Sequence, residues 1–242
     1  IITIAAAGIV GLVLQQLSVL LINWSAQQTA DQGALTRFTW ANAIYLLPYA
    51  VLAAPLLQLS FPRLATAAER GRTEVGQVLA ETGPVTVVMA WLGAALLVGT
   101  AVPVARVFVL GPGSQRTVAL AWPIVAFAPA IVGFTLLGLA SRTLLAQHLG
   151  KASGIANAMA WGAVIISVAL LRLVVPPEWL VPAMAFSVSL GMVVGAAAGW
   201  ALLRRSGMPA VGLGRPMLVS LAAAVIAGAV SAAGSQLLAD VG

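Results

Sequence analysis

Residues 118–140 read VALAWPIVAFAPAIVGFTLLGLA, twenty-three residues without a charge, bounded by Arg116 and Arg142. A helix needs about 20 such residues to cross the hydrocarbon core of a bilayer. A strand of a membrane barrel would alternate apolar and polar side chains over about ten residues, and this stretch does not. Six more stretches share its character: 2–24, 38–62, 84–104, 153–171, 179–203 and 217–238. The twelve Lys and Arg and the six Asp and Glu all fall between these seven stretches or at their edges. Chance would scatter them. The fold class is therefore all-α, a polytopic transmembrane helix bundle of about seven spans.

The whole chain agrees with its spans. Its 242 residues are 61% hydrophobic and 7% charged, with a mean hydropathy of +1.05. A soluble domain carries about 25% charged residues, and a surface as poor in charge as this one would precipitate in water. Soluble enzymes, nucleic-acid binders and disordered tails are excluded. The net charge of +6 belongs to loops, where it reports topology and not an affinity for nucleic acid. With no cysteine in the chain, disulfides, thiolate metal sites and cysteine nucleophiles are excluded together. The chain starts inside an apolar run, Ile-Ile-Thr-Ile, so residue 1 reads as a cut within a longer protein.

Positive charge in short loops marks the cytoplasmic side. One set of alternate loops holds Arg63, Arg70, Arg72, Arg142, Lys151, Arg204, Arg205 and Arg215. The other holds Arg37, Arg106, Arg116 and Arg172. The first set is assigned to the cytoplasm, with Ile1 near that side and Gly242 outside. The longest connector, 63–83, places Val75, Val78 and Leu79 at helical spacing among Glu74, Gln77 and Glu81. It predicts a short amphipathic helix lying on the cytoplasmic membrane face. Gly111-Pro112-Gly113 and Pro176-Pro177 predict tight external turns. Trp24, Trp40 and Trp179 stand at span ends, where indole favours the interface; Trp91, Trp161 and Trp200 are deeper and read as packing residues.

Groups able to make or break bonds are sparse. His148 is the one histidine and sits in a loop, and no carboxylate lies within a span. No metal-ligand set, phosphate-binding loop or cofactor motif is present, so neither cofactor nor metal is expected. The informative side chains are intramembrane amides and phenols: Gln15 and Gln16 in the first span, Asn42, Tyr45, Tyr49 and Gln58 in the second, Asn157 in the fifth. An amide in lipid needs a partner, so each faces another helix or a wet cavity. The first two spans hold most of them, which makes those spans the better cavity wall. Asn42, Tyr45 and Tyr49, at i, i+3 and i+7, share one helix face. Pro48 and Pro55 in the second span, and Pro123 and Pro129 in the fourth, remove backbone donors and predict kinks. Gly191, Gly195 and Gly199 form a small-residue stripe suited to close helix packing.

Several of these residues also fall into an ordered pattern. Gly33-Ala34-Leu35-Thr36-Arg37-Phe38-Thr39-Trp40-Ala41-Asn42 continues to Leu47-Pro48-Tyr49-Ala50-Val51 and ends at Phe61-Pro62-Arg63-Leu64. It resembles the eighth helix of MviN/MurJ-type lipid II flippases, of the multidrug/oligosaccharidyl-lipid/polysaccharide exporter superfamily. Gly11 to Gln16 is similar to the family's seventh helix, Phe108 to Gly111 to the external loop after its ninth, and Arg142, Ala146 and Lys151 to the segment after its tenth. Four motifs in order, at matching spacing, cover nearly the whole chain.

The resemblance implies family helices 7 to 13. Residues 1–205 would be the second six-helix lobe, and 206–242 one further helix of the lipid-tail groove. It implies flipping of the undecaprenyl-linked peptidoglycan precursor across a bacterial plasma membrane by alternating access, without enzymatic chemistry. The implied partners are a polyprenyl-linked lipid substrate, membrane lipids and cell-wall synthesis proteins, with no nucleic acid. The substrate-cavity candidates are Gln16, Arg37, Asn42, Tyr45 and Tyr49. The cytoplasmic motif positions are Arg63, Arg142 and Lys151. The chain departs from the pattern where Ala43 replaces an Arg of the family, where Asn42 stands for a frequent Asp, and where Leu144 and Leu145 replace a Phe-Tyr pair. Two alternatives stay open: export of another polyprenyl-linked glycan or a drug, and a transport-silent scaffold for cell-wall proteins.

Overall fold

The computed structural model describes residues 2–28, 33–109, 114–208, 212 and 214–239, with side chains described in 8–28, 33–109, 116–208, 212 and 214–227. These residues are almost all helical, joined by short turns. The helices are α1 (Ile2–Gln27), α2 (Ala34–Pro48), α3 (Ala54–Arg70), α4 (Arg72–Phe108), α5 (Ser114–Ala126), α6 (Ala128–Ala146), α7 (Gly150–Val174), α8 (Leu180–Arg205) and α9 (Gly214–Ala239). A π-helical turn, Tyr49–Ala53, joins α2 to α3, and a 3-10 turn, Pro177–Trp179, precedes α8. Among the described residues six segments are long and apolar enough to cross a membrane: Gly8–Gln27, Ala34–Arg70, Arg72–Phe108, Arg116–Ala146, Gly150–Val174 and Pro177–Arg205. They coincide with the first six apolar stretches. α9 covers the seventh, and its described apolar part is Gly214–Ala227.

The connector 63–83 is not the expected loop with a separate surface helix. α3 runs on to Arg70 and α4 starts at Arg72, so the connection is Gly71 alone. Gly71 has φ 127° and ψ 174°, a region that is essentially glycine-only. That one residue reverses the chain, and both helices project past the bilayer span. Val75 and Leu79 are buried, with Leu57, Leu64, Leu139, Leu144 and Leu203, in a small apolar core at this end. The amphipathic pattern was real, but its apolar face packs on protein instead of lying on lipid. The turn Gly111-Pro112-Gly113 lies outside the described residues, as does Asp31. The turn at Pro176-Pro177 is present, closed by the Trp179 amide donating to the Pro176 carbonyl at 3.0 Å.

A larger core fills the bundle, with Leu97, Leu120, Ile124, Phe127, Ile131 and Met184 all buried. The stripe on α8 forms the densest seam. A Cβ added to Gly191 would lie 2.6 Å from the Ala160 carbonyl oxygen of α7, and closer still to Val164. One added to Gly199 would meet the Ala140 Cβ of α6 at 3.0 Å. From the α6 side, Gly133 abuts the α8 backbone, where an added Cβ would stand 2.7 Å from the Met192 carbonyl carbon. Small residues let the backbones of α6, α7 and α8 approach where lipid supplies no hydrophobic driving force.

The two ends of the bundle differ. Arg172 stands 3.9 Å over the Trp24 ring, and Trp40 meets Phe108 and Trp122 meets Trp179, both at 5.6 Å. Connectors assigned to the outside therefore converge on one aromatic-rich end. Arg72, Gly207 and the Gln147–Leu149 turn meet at the other. Orientation is open to a direct check, since the chain has no cysteine. Glu178→Cys is expected to react with a membrane-impermeant thiol reagent in intact cells, and Gln77→Cys only after permeabilisation. The opposite labelling pattern would invert the topology read from Arg and Lys.

Candidate functional site

The second span is broken in the middle, and the break follows from its sequence. Pro48 has no amide hydrogen, so the helix loses a donor one turn after Ile44. The chain adapts by inserting a residue. The Tyr49 amide bonds back to the Leu46 carbonyl, and the Ala54 amide bonds to Tyr49 five residues earlier. Single π-turns of this kind recur at functional sites. Pro55 then sits in the first turn of α3, directly after the π-turn. Gly93 of α4 lies directly beneath: a Cβ there would be 3.4 Å from Pro48 and 3.3 Å from Ile131.

The fourth span is broken as well. The sequence predicts a kinked helix, and the structure shows two, α5 and α6, separated at Phe127. Pro123 and Pro129 flank the break. Ser189 of α8 repairs it: its hydroxyl donates to the Ala126 carbonyl at 2.6 Å and accepts from the Ala130 amide at 3.1 Å. Backbone groups freed in a bilayer must find such partners.

Aromatic rings join the two breaks. Tyr45 stacks on Phe127 at 4.9 Å with the planes 9° apart, and Phe38 meets the same ring at 5.6 Å. One turn further on, Tyr49 meets Phe134 at 4.7 Å. Each such pair is worth about 0.5–1.5 kcal/mol beyond burial. The π-turn of the second span and the break in the fourth are thus fastened to each other by aromatic rings.

The sequence-derived candidates separate into three places. Tyr45 is buried within the aromatic cluster, while Asn42 and Tyr49 are half-buried. The stripe they form turns toward α5 and α6. Ala43 lies on the opposite, exposed side with Leu46, Leu47, Ala50 and Val51. Arg37 is half-buried in the first turn of α2. Gln16 is exposed on α1, whereas Gly11, Ser18 and Ile22 are buried on the side turned to α7. Arg63 and Lys151 are exposed, and Arg63 pairs with Glu81 at 2.6 Å.

Arg142 is different from both. It is half-buried on α6, and its guanidinium bonds the Gly138 carbonyl at 3.2 Å. Asn157 is interhelical glue, donating to the Ser141 hydroxyl of α6 at 3.1 Å and to the Ser153 carbonyl at 2.9 Å. Phe127 and Phe134 were not singled out by the sequence. Only the Pro123 to Pro129 spacing around Phe127 hints at its place.

This surface can bind, orient and move; among the described residues no group of three His, Cys, Asp or Glu stands together. Comparison with known proteins points the same way. The family model for lipid II flippase MurJ matches residues 1–239. No curated protein matches the chain in sequence. A solved structure of lipid II flippase MurJ, in an inward closed conformation, shares the fold with a TM-score of 0.72 at 17% identity, over 89% of this chain and 44% of that one. The chain therefore spans less than half the length of that structure.

Proposed function

This chain belongs to the lipid II flippase MurJ family, and on that premise we propose that it forms part of a carrier for the undecaprenyl-linked peptidoglycan precursor. It is a multi-pass membrane protein, placed by its family in the bacterial plasma membrane. The observation that carries the reading is the family match along 1–239, supported by the shared fold. No bond is made or broken in this activity. The headgroup would cross in a polar cavity while the tail stays in lipid, as two bundles rock about a central site.

Within that reading, residues 1–205 belong to one bundle and 206–242 to a peripheral element whose helix is α9; among the described residues α9 lies against α4 alone. We place the cavity against the exposed sides of α1 and α2, which carry Gln16 and Ala43. Asn42, Tyr49 and Arg37 stand at its edge with Tyr45 buried behind them, and the paired breaks give α2 a place to tilt. Arg63, Arg142 and Lys151 set the cytoplasmic end. Cell-wall synthesis proteins are proposed partners on the membrane surface.

The test is complementation. The intact parent, expressed in a strain depleted of its own lipid II flippase, is expected to restore growth and the appearance of lipid II on the outer leaflet. Normal expression with neither effect would overturn the proposal.

A further inference from the structure

The hydroxyl that satisfies the break in the fourth span also occupies the place of the bond that would close it. In an unbroken α-helix the Ala130 amide donates to the Ala126 carbonyl, four residues back. Here the buried Ser189 hydroxyl of α8 stands between those two groups. It accepts from the Ala130 amide at 3.1 Å and donates to the Ala126 carbonyl at 2.6 Å; the same amide also reaches the Phe127 carbonyl at 2.9 Å. A side chain inserted into the i→i−4 ladder is a recognised cause of a sharp kink. Pro129 accounts for a different rung, because its missing amide hydrogen frees the Val125 carbonyl. The Ala126–Ala130 rung keeps both of its own groups, and α8 holds them apart.

Neighbouring hydroxyls show what Ser189 can do instead. Ser187, two residues earlier on α8, donates to the Ala183 carbonyl of its own helix at 2.9 Å. Thr135 of α6 does the same to Ile131 at 2.7 Å. Turned back in this way, Ser189 would bond the Ala185 carbonyl one turn before it, and the Ala130 amide would be free to close on Ala126. Inserted, the hydroxyl makes one bond to each side of the break. Withdrawn, it makes one bond within α8 while the span makes one within itself. Neither arrangement leaves a polar group unpaired in lipid, and a rotamer change separates them. Two packings so balanced are the condition for a bistable element.

The break is placed where such a change is felt. Below it, α6 is held to α8, since a Cβ on Gly133 would stand 2.7 Å from the Met192 carbonyl carbon. At the break, Phe127 stacks on Tyr45 and meets Phe38, both of α2. We infer that the Ser189 hydroxyl is a conformational switch: inserted, it holds the fourth span bent at Phe127; withdrawn, it lets the span straighten and carries α5, and α2 through the rings, relative to α6 and α8. The switch is a property of the fold, so it stands or falls apart from the lipid II reading.

Spin labels at Val118→Cys on α5 and Leu173→Cys on α7, both exposed, test it in the full parent protein, freed of other cysteines and held in a bilayer. Position 118 lies nine residues from Phe127, about 14 Å of helix, so relieving a kink of about 20° moves it by about 5 Å. Ser189→Ala is expected to shift the main electron–electron double resonance distance by that amount and to leave the Tm unchanged, because the span closes its own bond. Ser187→Ala, which removes a buried hydroxyl bonded within α8, should leave the distance in place. An unmoved distance in Ser189→Ala overturns the switch. So does loss of folded protein or a Tm lowered by several degrees, since Ala126 and Ala130 would then be unable to meet without the hydroxyl. An equal shift in Ser187→Ala would overturn it as well, by making the movement a general loosening of α8.

Discussion

Gly191→Leu is expected to remove most folded protein from a detergent extract, whereas Gly162→Leu, the same change on the neighbouring helix, leaves it intact. The Cβ of a residue at 191 would press on the Ala160 carbonyl oxygen at 2.6 Å. That atom is helix backbone and cannot rotate away. Three further leucine carbons would then have to enter the α7–α8 seam, where Ala160 and Val164 are fully buried. Over-packing a filled interior typically costs about 1–3 kcal/mol and occasionally more; against rigid backbone the upper end, or beyond it, is expected. A Cβ on Gly162 meets nothing within 4 Å, so its leucine points into the surrounding apolar medium. The measurement is the monodisperse fraction on size exclusion and the Tm of what remains. Equal behaviour of the two variants would mean that α7 and α8 do not pack as described.

The small-residue stripe behind that expectation was legible in the sequence, because Gly191, Gly195 and Gly199 recur at the spacing of one helix face. What the stripe touches was not. Spacing names a face; only the fold shows that Ala156, Ala160 and Val164 lie across it. The spans were legible for an equally physical reason: lipid excludes charge, so Arg and Lys positions outline the bilayer crossings directly.

Helix ends outside lipid carry no such signal. α4 begins twelve residues before the apolar stretch that starts at position 84, because water imposes no penalty on a helix that runs on past Glu74 and Glu81. The long connector therefore looked like a loop. The breaks were half-visible. Pro48 and Pro129 announce a lost donor, but not how the chain makes it good. In the second span it is an inserted residue, and in the fourth it is the Ser189 hydroxyl arriving from fifty-nine residues away. Phe127 stayed hidden because its importance comes from meeting Phe38 and Tyr45, and no local pattern distinguishes it from other aromatic residues in apolar runs.

Asn42→Leu in the intact parent is expected to slow lipid II translocation about tenfold while leaving insertion and abundance unchanged. Asn42 stands between two environments on α2. On one side are Ala41 and Tyr45, buried in the bundle; on the other is Ala43, exposed. A half-buried amide on that boundary can meet a headgroup in the cavity while its helix stays packed. Its place about two turns before the π-turn matters as well, since a tilt at Tyr49–Ala53 would swing this segment while the aromatic cluster re-stacks. Removing one hydrogen bond to a bound headgroup costs about 1–1.5 kcal/mol, and tenfold corresponds to about 1.4 kcal/mol. If Asn42 served only to hold helices together, the change would cost about 0.6 kcal/mol of stability and transport would persist. Rate and Tm therefore separate the two roles. Ile166→Ala, at a residue 61% exposed on α7, serves as the control and should leave both unchanged. Full complementation by Asn42→Leu at normal expression would remove Asn42 from the substrate path and leave Gln16, Arg37, Tyr45 and Tyr49 as the remaining candidates.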